Sequence, residues 1–260
     1  MKPIENELGQ PVGRPIVGWT GAAEPDREPI PGSRCRLESL DADLHAAALY
    51  AAYSEDRDGG NWTYLPYGPF ETEQDYVDLV RGILTLGDTF FFAIIDVASG
   101  APVGVASYLR AIPAMGSIEV GHLSYSPSLQ RTPTSTEAMY LMMKHAFEDW
   151  GYRRYEWKCD SLNAPSCAAA QRLGFRFEGL FRNHVVGKDR NRDTAWFSIT
   201  DDEWPGIRAA MESWLDQKNF DDSGSQRVRL SEFMPASAGK PVVVPADPES
   251  SSHFLGVELT

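Results

Sequence analysis

The chain has 260 residues, 42% hydrophobic and 11% aromatic, which is enough for one large domain or two small ones. Its formal net charge of −13 argues against general binding to nucleic acid or to an anionic membrane; it suits a cationic amine partner, or simply solubility. Three cysteines, Cys35, Cys159 and Cys167, form neither a disulfide framework nor a metal pattern, so a reduced, cytoplasmic setting without a metal site is expected. The opening MKPIENELGQ lacks the apolar centre of a signal peptide, and no run approaches the length of a membrane span.

Residues 1–33 carry six prolines and should form an extended arm. Ile16, Val17 and Trp19 suggest that it lies on the body, with a disordered leader as the alternative. Arg34 to Leu40 alternates as a strand. Asp41 is placed to cap a helix over Asp43 to Tyr53, with Leu44, Ala47, Ala48 and Ala51 on one face. Asn61 to Phe70 is an aromatic loop, and Glu71 opens a helix with Tyr76, Leu79, Val80, Ile83 and Leu84 on its apolar side. Phe90 to Val97 is a continuous apolar run, the mark of a strand buried on both faces. Ser99-Gly100 turns it into a hairpin strand, Pro102 to Leu109.

A strand over Ile118 to Ser124 is closed by Pro127, and the polar loop Gln130 to Ser135 leads into a helix from about Thr136 to Trp150. A helix start exposes unpaired N–H groups and partial positive charge, so such a loop can hold phosphate, although an ordinary capped helix reads the same way. A strand over Arg154 to Cys159 and a helix ending at Gly174 follow. Strand, helix, strand, helix favours a parallel pair with a crossover. Arg176 to Val186 and Asp193 to Thr200 read as strands around the charged turn GKDRNR. Asp201 or Asp202 is placed to cap a last helix, with Ile207, Ala210, Met211, Trp214 and Leu215 as its buried stripe. Residues 219–260 read as a partly flexible extension, in which Phe254 to Val257 has the character of a docking segment.

The stretch from Ile118 to Phe175 resembles the GNAT superfamily of acyl-CoA N-acyltransferases, especially its RimJ/RimL-like, ribosomal-protein-acetyltransferase branch. The likeness rests on the order of three features: a strand, the loop Gln130-Arg131-Thr132-Pro133-Thr134-Ser135, and Asn163 leading to Gly174-Phe175. It spans roughly Arg34 to Gln217, so residues 34–218 are expected to form the catalytic domain. The resemblance implies an α/β (α+β) fold, a mixed, mostly antiparallel sheet flanked by helices, with a splayed central parallel strand pair. It also implies acetyl-CoA as co-substrate. The backbone near Leu123 to Tyr125 would face the thioester, and Gln130, Arg131, Thr132, Thr134, Ser135 and Thr136 would surround the pyrophosphate. Asn163 would bond the pantetheine arm. Two loop glycines of the family are Pro133 and Ser135 here, which removes one N–H donor and adds one Cβ.

Acyl transfer to an amine needs a proton acceptor for the amine, donors for the developing oxyanion and a proton for the leaving thiolate. Glu119 is the first candidate base, with a surface carboxylate paired to an arginine as its structural alternative. His122 is the second, and Asp193, otherwise an anchor for its turn, the third. The tyrosine acid of many relatives is Ala170 here. The RimL-like pattern places Ser166 at the thiolate instead. Trp62, Tyr64 and Tyr67 are acceptor contacts or packing under their loop. The expected function is acetyl transfer to a primary amine of a small molecule in a ternary complex, with a homodimer as a compatible assembly. The alternatives are a protein N-terminal acetyltransferase, a non-catalytic acyl-CoA sensor, or an interaction module built from the terminal extensions.

Overall fold

The computed structural model describes residues 4–241. Two short strands, β1 (Ile4–Glu5) and β2 (Pro11–Val12), pair with each other at the N-terminus. Trp19 then docks: its indole N–H donates to the Ala114 carbonyl at 2.9 Å, and a Cβ on Gly116 would lie 2.5 Å from its ring. Ile16 and Val17 remain exposed, so the arm rests on the body through Trp19.

The main sheet has eight strands: β3 (Ile30–Pro31), β4 (Cys35–Ser39), β5 (Thr89–Asp96), β6 (Pro102–Ile112), β7 (Ser117–Tyr125), β8 (Arg154–Asp160), β9 (Arg176–Gly187) and β10 (Arg190–Thr200). Their order is β3-β4-β5-β6-β7-β8-β10-β9. Every neighbouring pair is antiparallel except β7 and β8, which run parallel. Consecutive hairpins build the antiparallel part. The parallel pair needs a crossover, supplied by helix α3 (Pro133–Lys144) and the π-helical turn His145–Asp149 that continues it. Glu137 of α3 is buried and accepts the backbone N–H groups of Ser33, Arg34 and Cys35, fixing the entry of β4 on the helix.

Both faces of the sheet are covered. Phe91, Ala93 and Ile95 pack with Leu49, Tyr53, Tyr76 and Val80 of α1 (Ala42–Tyr53) and α2 (Glu73–Ile83). Phe92 and Ile94 instead join Met142, Ile118, Val120, Trp157 and Phe175 on the α3 side. That two-sided burial is why β5 reads as an unbroken apolar run. Helix α5 (Trp204–Leu215) closes the second layer with Ile207, Met211 and Trp214.

Asp41 caps α1 as expected, accepting from the Asp43 and Leu44 N–H groups. The buried face of α1 is His45, Ala46, Leu49 and Tyr53, while Leu44 is 75% exposed. The start of α5 also differs: neither Asp201 nor Asp202 caps it. Glu203 folds back to accept from the Thr200 N–H and hydroxyl. Residues 219–241 run along the body. Gln226 accepts from the Trp214 indole, Leu230 of the short helix α6 (Leu230–Phe233) is buried, and the Gly239 N–H donates to Gly174. The Phe254 to Val257 segment lies outside the described residues.

Candidate active site

The β7–β8 ladder starts at Ser117 opposite Arg154 and stops at Val120 opposite Trp157, yet β7 runs on to Tyr125 and β8 to Asp160. Beyond that point the two backbones have no pairing with each other, which is a splay. Its cause is local. On the β6 side, Val105 faces Ser124 while Ser107 faces Gly121, so β7 carries an extra residue at His122–Leu123. His122 sits there at φ +50°. Such a bulge bends and twists its strand away from the neighbour. A second bulge re-aims Arg110 of β6, at φ +49°, and a third lies at Arg182–His184 in β9, where Asn183 has φ +50°. Non-glycine residues in this region cost on the order of 1 kcal/mol or more each, and they persist where packing holds them.

At the open end the chain turns through Ser126 to Gln130 into α3. Thr132 is the N-cap, accepting from the Ser135 N–H at 3.1 Å, and Pro133 occupies the first helical position, where a missing N–H costs little. Arg131 is exposed at φ +60°, beside that helix start. Gln130 is a fastener: its amide donates to Asn61 Oδ1 at 2.8 Å and to the Tyr125 carbonyl at 3.0 Å. Thr136 turns inward and its hydroxyl accepts from Arg172. That leaves the helix start, Arg131 and Thr134 as the groups best placed for a pyrophosphate. The Ser124 hydroxyl and Tyr125 phenol, at the same end, are buried with no hydrogen-bond partner among the described residues. An opened ladder, a capped helix start beside an exposed arginine and two hydroxyls without partners among the described residues together fit the thread and phosphates of a coenzyme A thioester.

The splay opens on a cleft of about 490 Å³. Tyr64, Glu119, His122, Leu123, Asn163 and Ser166 all line it. Glu119 is buried between two cations, with Arg110 2.7 Å from Oε1 and Lys158 2.8 Å from Oε2. Lys158 in turn meets Glu156 at 2.7 Å and lies 3.8 Å over the Trp196 ring. His122 stacks on Tyr67, its Nδ1 3.1 Å from the phenol oxygen, and packs against Phe91. Burial and the nearby Arg110 charge hold its pKa below the ordinary imidazole value, so it is neutral near pH 7.

Asn163 caps helix α4 (Ala164–Arg172) through the Ser166 N–H. The Ser166 oxygen accepts from the Trp157 indole at 3.0 Å, and its own O–H, which has the Cys159 sulfur within reach, remains a donor. Ala170 is fully buried, so no acid comes from that position. Cys159 and Cys167 face each other at 3.5 Å. The contact lowers the Cys167 pKa to about 7, while the Cys159 thiol is pushed up by the same contact and by burial.

The aromatic candidates separate. Trp62 is buried, edge-on to Tyr53 and Phe70, and is packing. Tyr67 backs His122. Tyr64 alone faces the cleft, with its hydroxyl on the Leu162 carbonyl at 3.0 Å. Asp193 accepts from the Asn183 N–H and the Asn191 amide, and lines not the cleft but an adjoining open concavity with Phe181 and His184, the last of which borders both. Sequence reasoning missed Arg110 and Lys158, and also Lys188, Arg190 and Arg192, which wall the cleft from the β9–β10 hairpin. The alternation of Arg154, Glu156 and Lys158 along β8 was a usable signal, since charges at every second position mark one polar face.

The Acetyltransferase (GNAT) domain family matches residues 34–176. A GCN5-related N-acetyltransferase from Brucella melitensis is similar in structure, with a TM-score of 0.82, 43% identity, and cover of 84% of this chain and 99% of that one. A probable acetyltransferase of the GNAT family from Chromobacterium violaceum gives 0.70 and 41%, covering 75% and 98%. In sequence, the uncharacterised N-acetyltransferase YnaD of Bacillus subtilis is 24% identical over 155 residues, 59% of this chain and 88% of its own. A Salmonella typhimurium acetyltransferase that modifies the N-terminal serine of a 50S ribosomal protein shares the fold at 21% identity and a TM-score of 0.57, covering 66% of this chain and 99% of that one. The chain belongs to the GNAT acetyltransferase family and is an acyl-CoA N-acyltransferase.

Proposed function

We propose that this GNAT enzyme moves an acetyl group from acetyl-CoA to the primary amine of a small molecule, by direct attack while both are bound. The observation that carries the reading is the continuity of the splay with the cleft. A thread entering beside α3 would end between Leu123 and Ser166, and the cleft opens there. Size argues for a small acceptor. The cleft is roofed on the hairpin side, because Lys188 Nζ donates to the carbonyls of Trp62, Tyr67 and Gly68 at 2.7, 3.1 and 2.8 Å. Tyr64 spans to Leu162 on another side.

Acetyl-CoA supplies the acetyl group as an activated thioester. His122 takes the proton of the incoming amine: with Nδ1–H donated to the Tyr67 oxygen, its Nε2 lone pair is left for the cleft. Glu119 is not assigned as the base, since Arg110 and Lys158 occupy its two oxygens. It holds the two cations in place. The backbone at and just past the bulge, Leu123 to Tyr125, offers donors to the carbonyl oxygen. Ser166 Oγ, fixed by Trp157, gives its proton to the departing sulfur.

Thiol release from acetyl-CoA, followed over a panel of small primary amines and of peptides with free N-termini, tests the reading. Turnover confined to small amines is expected. Turnover confined to peptides would overturn the small-molecule assignment. A longer acyl-CoA used faster than acetyl-CoA would overturn the choice of acyl group.

A further inference from the structure

The acceptor end of the cleft is cationic in a chain that is otherwise acidic. Five cations line it, Arg110, Lys158, Lys188, Arg190 and Arg192, against two carboxylates, Glu119 and Asp160. Glu119 is taken by Arg110 and Lys158, and one Asp160 oxygen accepts the Leu162 N–H. The three hairpin cations have no carboxylate within ion-pair distance among the described residues; their partners are neutral oxygens.

The hairpin is built to put them there. Gly187 pairs with Arg190, so Lys188 and Asp189 form a two-residue loop, and both have positive φ, +49° and +57°. That is the type I′ geometry, which normally recruits asparagine and glycine. Here the strained turn folds Lys188 onto the Trp62–Gly68 loop, where three carbonyls use all three of its donors. Arg190 gives one N–H to the Thr63 carbonyl at 2.8 Å, and Arg192 gives Nε–H to Thr194 Oγ1 at 3.1 Å. Each guanidinium carries five donors, so both keep several unassigned ones at the cleft. Asp189, at the turn tip, does not line the cleft, and Asp193 is held by Asn183 and Asn191.

We propose that Arg190 and Arg192 form an oxyanion-recognition subsite, and that the acceptor is an amine carrying a carboxylate or phosphate at its far end. The proposal rests on the reading of this cleft as the acceptor site, and it reverses the cationic acceptor that the overall charge suggests. Two arginines match a planar carboxylate or a phosphate in paired geometry. No residue of the Ser126–Ser135 loop lines the cleft, so these arginines are separate from the groups assigned to the coenzyme phosphates.

The test is a fluorescence titration of the CoA-loaded full chain, with Trp157 in the cleft wall and Trp62 and Trp196 beside it as reporters. The probes are ω-amino acids of two to six carbons, the amide of each, and ω-aminoalkyl phosphates of the same lengths. At the best length the acid or the phosphate should bind at least tenfold tighter than the amide, and the ranking of those two names the oxyanion. Arg190→Gln with Arg192→Gln should reduce that ratio to within about twofold of unity, with the affinity for CoA unchanged. Equal binding of acid and amide at every length would overturn the subsite. So would a loss of CoA affinity in the double variant, which would reassign the arginines to the coenzyme. Preferential binding of the anionic amines without acetyl transfer would sink the transferase reading of the cleft and leave the subsite standing.

Discussion

Removing the Ser166 hydroxyl separates its proposed chemistry from its structural duty. The Ser166 oxygen accepts from the Trp157 indole at 3.0 Å, and Trp157 is 6% exposed. Ser166→Ala therefore orphans a buried N–H, at a cost of about 1–3 kcal/mol. A chain of this size loses about 2–4 °C of Tm per kcal/mol, so a fall of several degrees is expected. The cap of α4 survives, because Asn163 bonds the Ser166 backbone N–H. General acids contribute on the order of 10²–10⁴-fold. A thiolate with a pKa near ~8.5 needs less help than most leaving groups, so a loss of about tenfold to a hundredfold in kcat at pH 7 is expected. The defect should shrink above pH ~9, where the thiolate departs unaided. Steady-state thiol release between pH 6 and 10 measures it, and heat protection by acetyl-CoA should be the same as in the parent. A lowered Tm with an unchanged kcat would refute the acid role and reduce Ser166 to a partner of Trp157.

Two further outcomes are expected. His122 is harder to protonate folded than unfolded, so the acid limb of the rate should fall below 6.5, the ordinary imidazole value. The unfolded chain then binds the extra proton first, and stability is lost as pH falls below that value. His122→Gln should abolish the limb and Glu119→Gln should keep it; a limb at or above 6.5 in the parent would contradict the burial argument. The Cys167 thiol, lowered to about 7 by Cys159, should be the first cysteine alkylated by iodoacetamide, with a half-maximal rate near that pH, and acetyl-CoA should slow it. Mass mapping that finds Cys35 or Cys159 modified first would contradict it, since burial pushes the Cys35 thiol up and the Cys167 contact, with burial, pushes the Cys159 thiol up.

What was legible in the sequence had local causes. The succession β7, α3, β8, α4 is set by Pro127, the polar loop before α3, Gly151 and the Asn163 cap, each a short-range signal, and the parallel pair follows from that succession. The Thr132 cap starts α3 at Pro133, three residues before the expected start, and the splay itself depends on the His122–Leu123 bulge. The face of α1 was misread because Ala47, Ala48 and Ala51 give almost no periodic contrast. The true stripe, His45, Leu49 and Tyr53 at four-residue steps, includes a histidine that hydropathy alone counts as polar. Glu119 was recognisable as a strand carboxylate. That it meets Arg110 of β6 and Lys158 of β8 depends on strand order and on a bulge, which no window of sequence reports. The Lys188 ties reach carbonyls up to 126 positions away, from a turn lacking the usual Asn-Gly signature.

Those ties divide the enzyme's two jobs along the chain. Everything that would grip the activated donor lies in one contiguous stretch, from β7 to the end of α4. The wall that would greet the acceptor is pieced together from a loop near residue 64 and a hairpin tip near 189 that touch only once the whole sheet is in place. A lineage of such enzymes is free to exchange the hairpin tip and acquire new clientele while its donor machinery stays as it was.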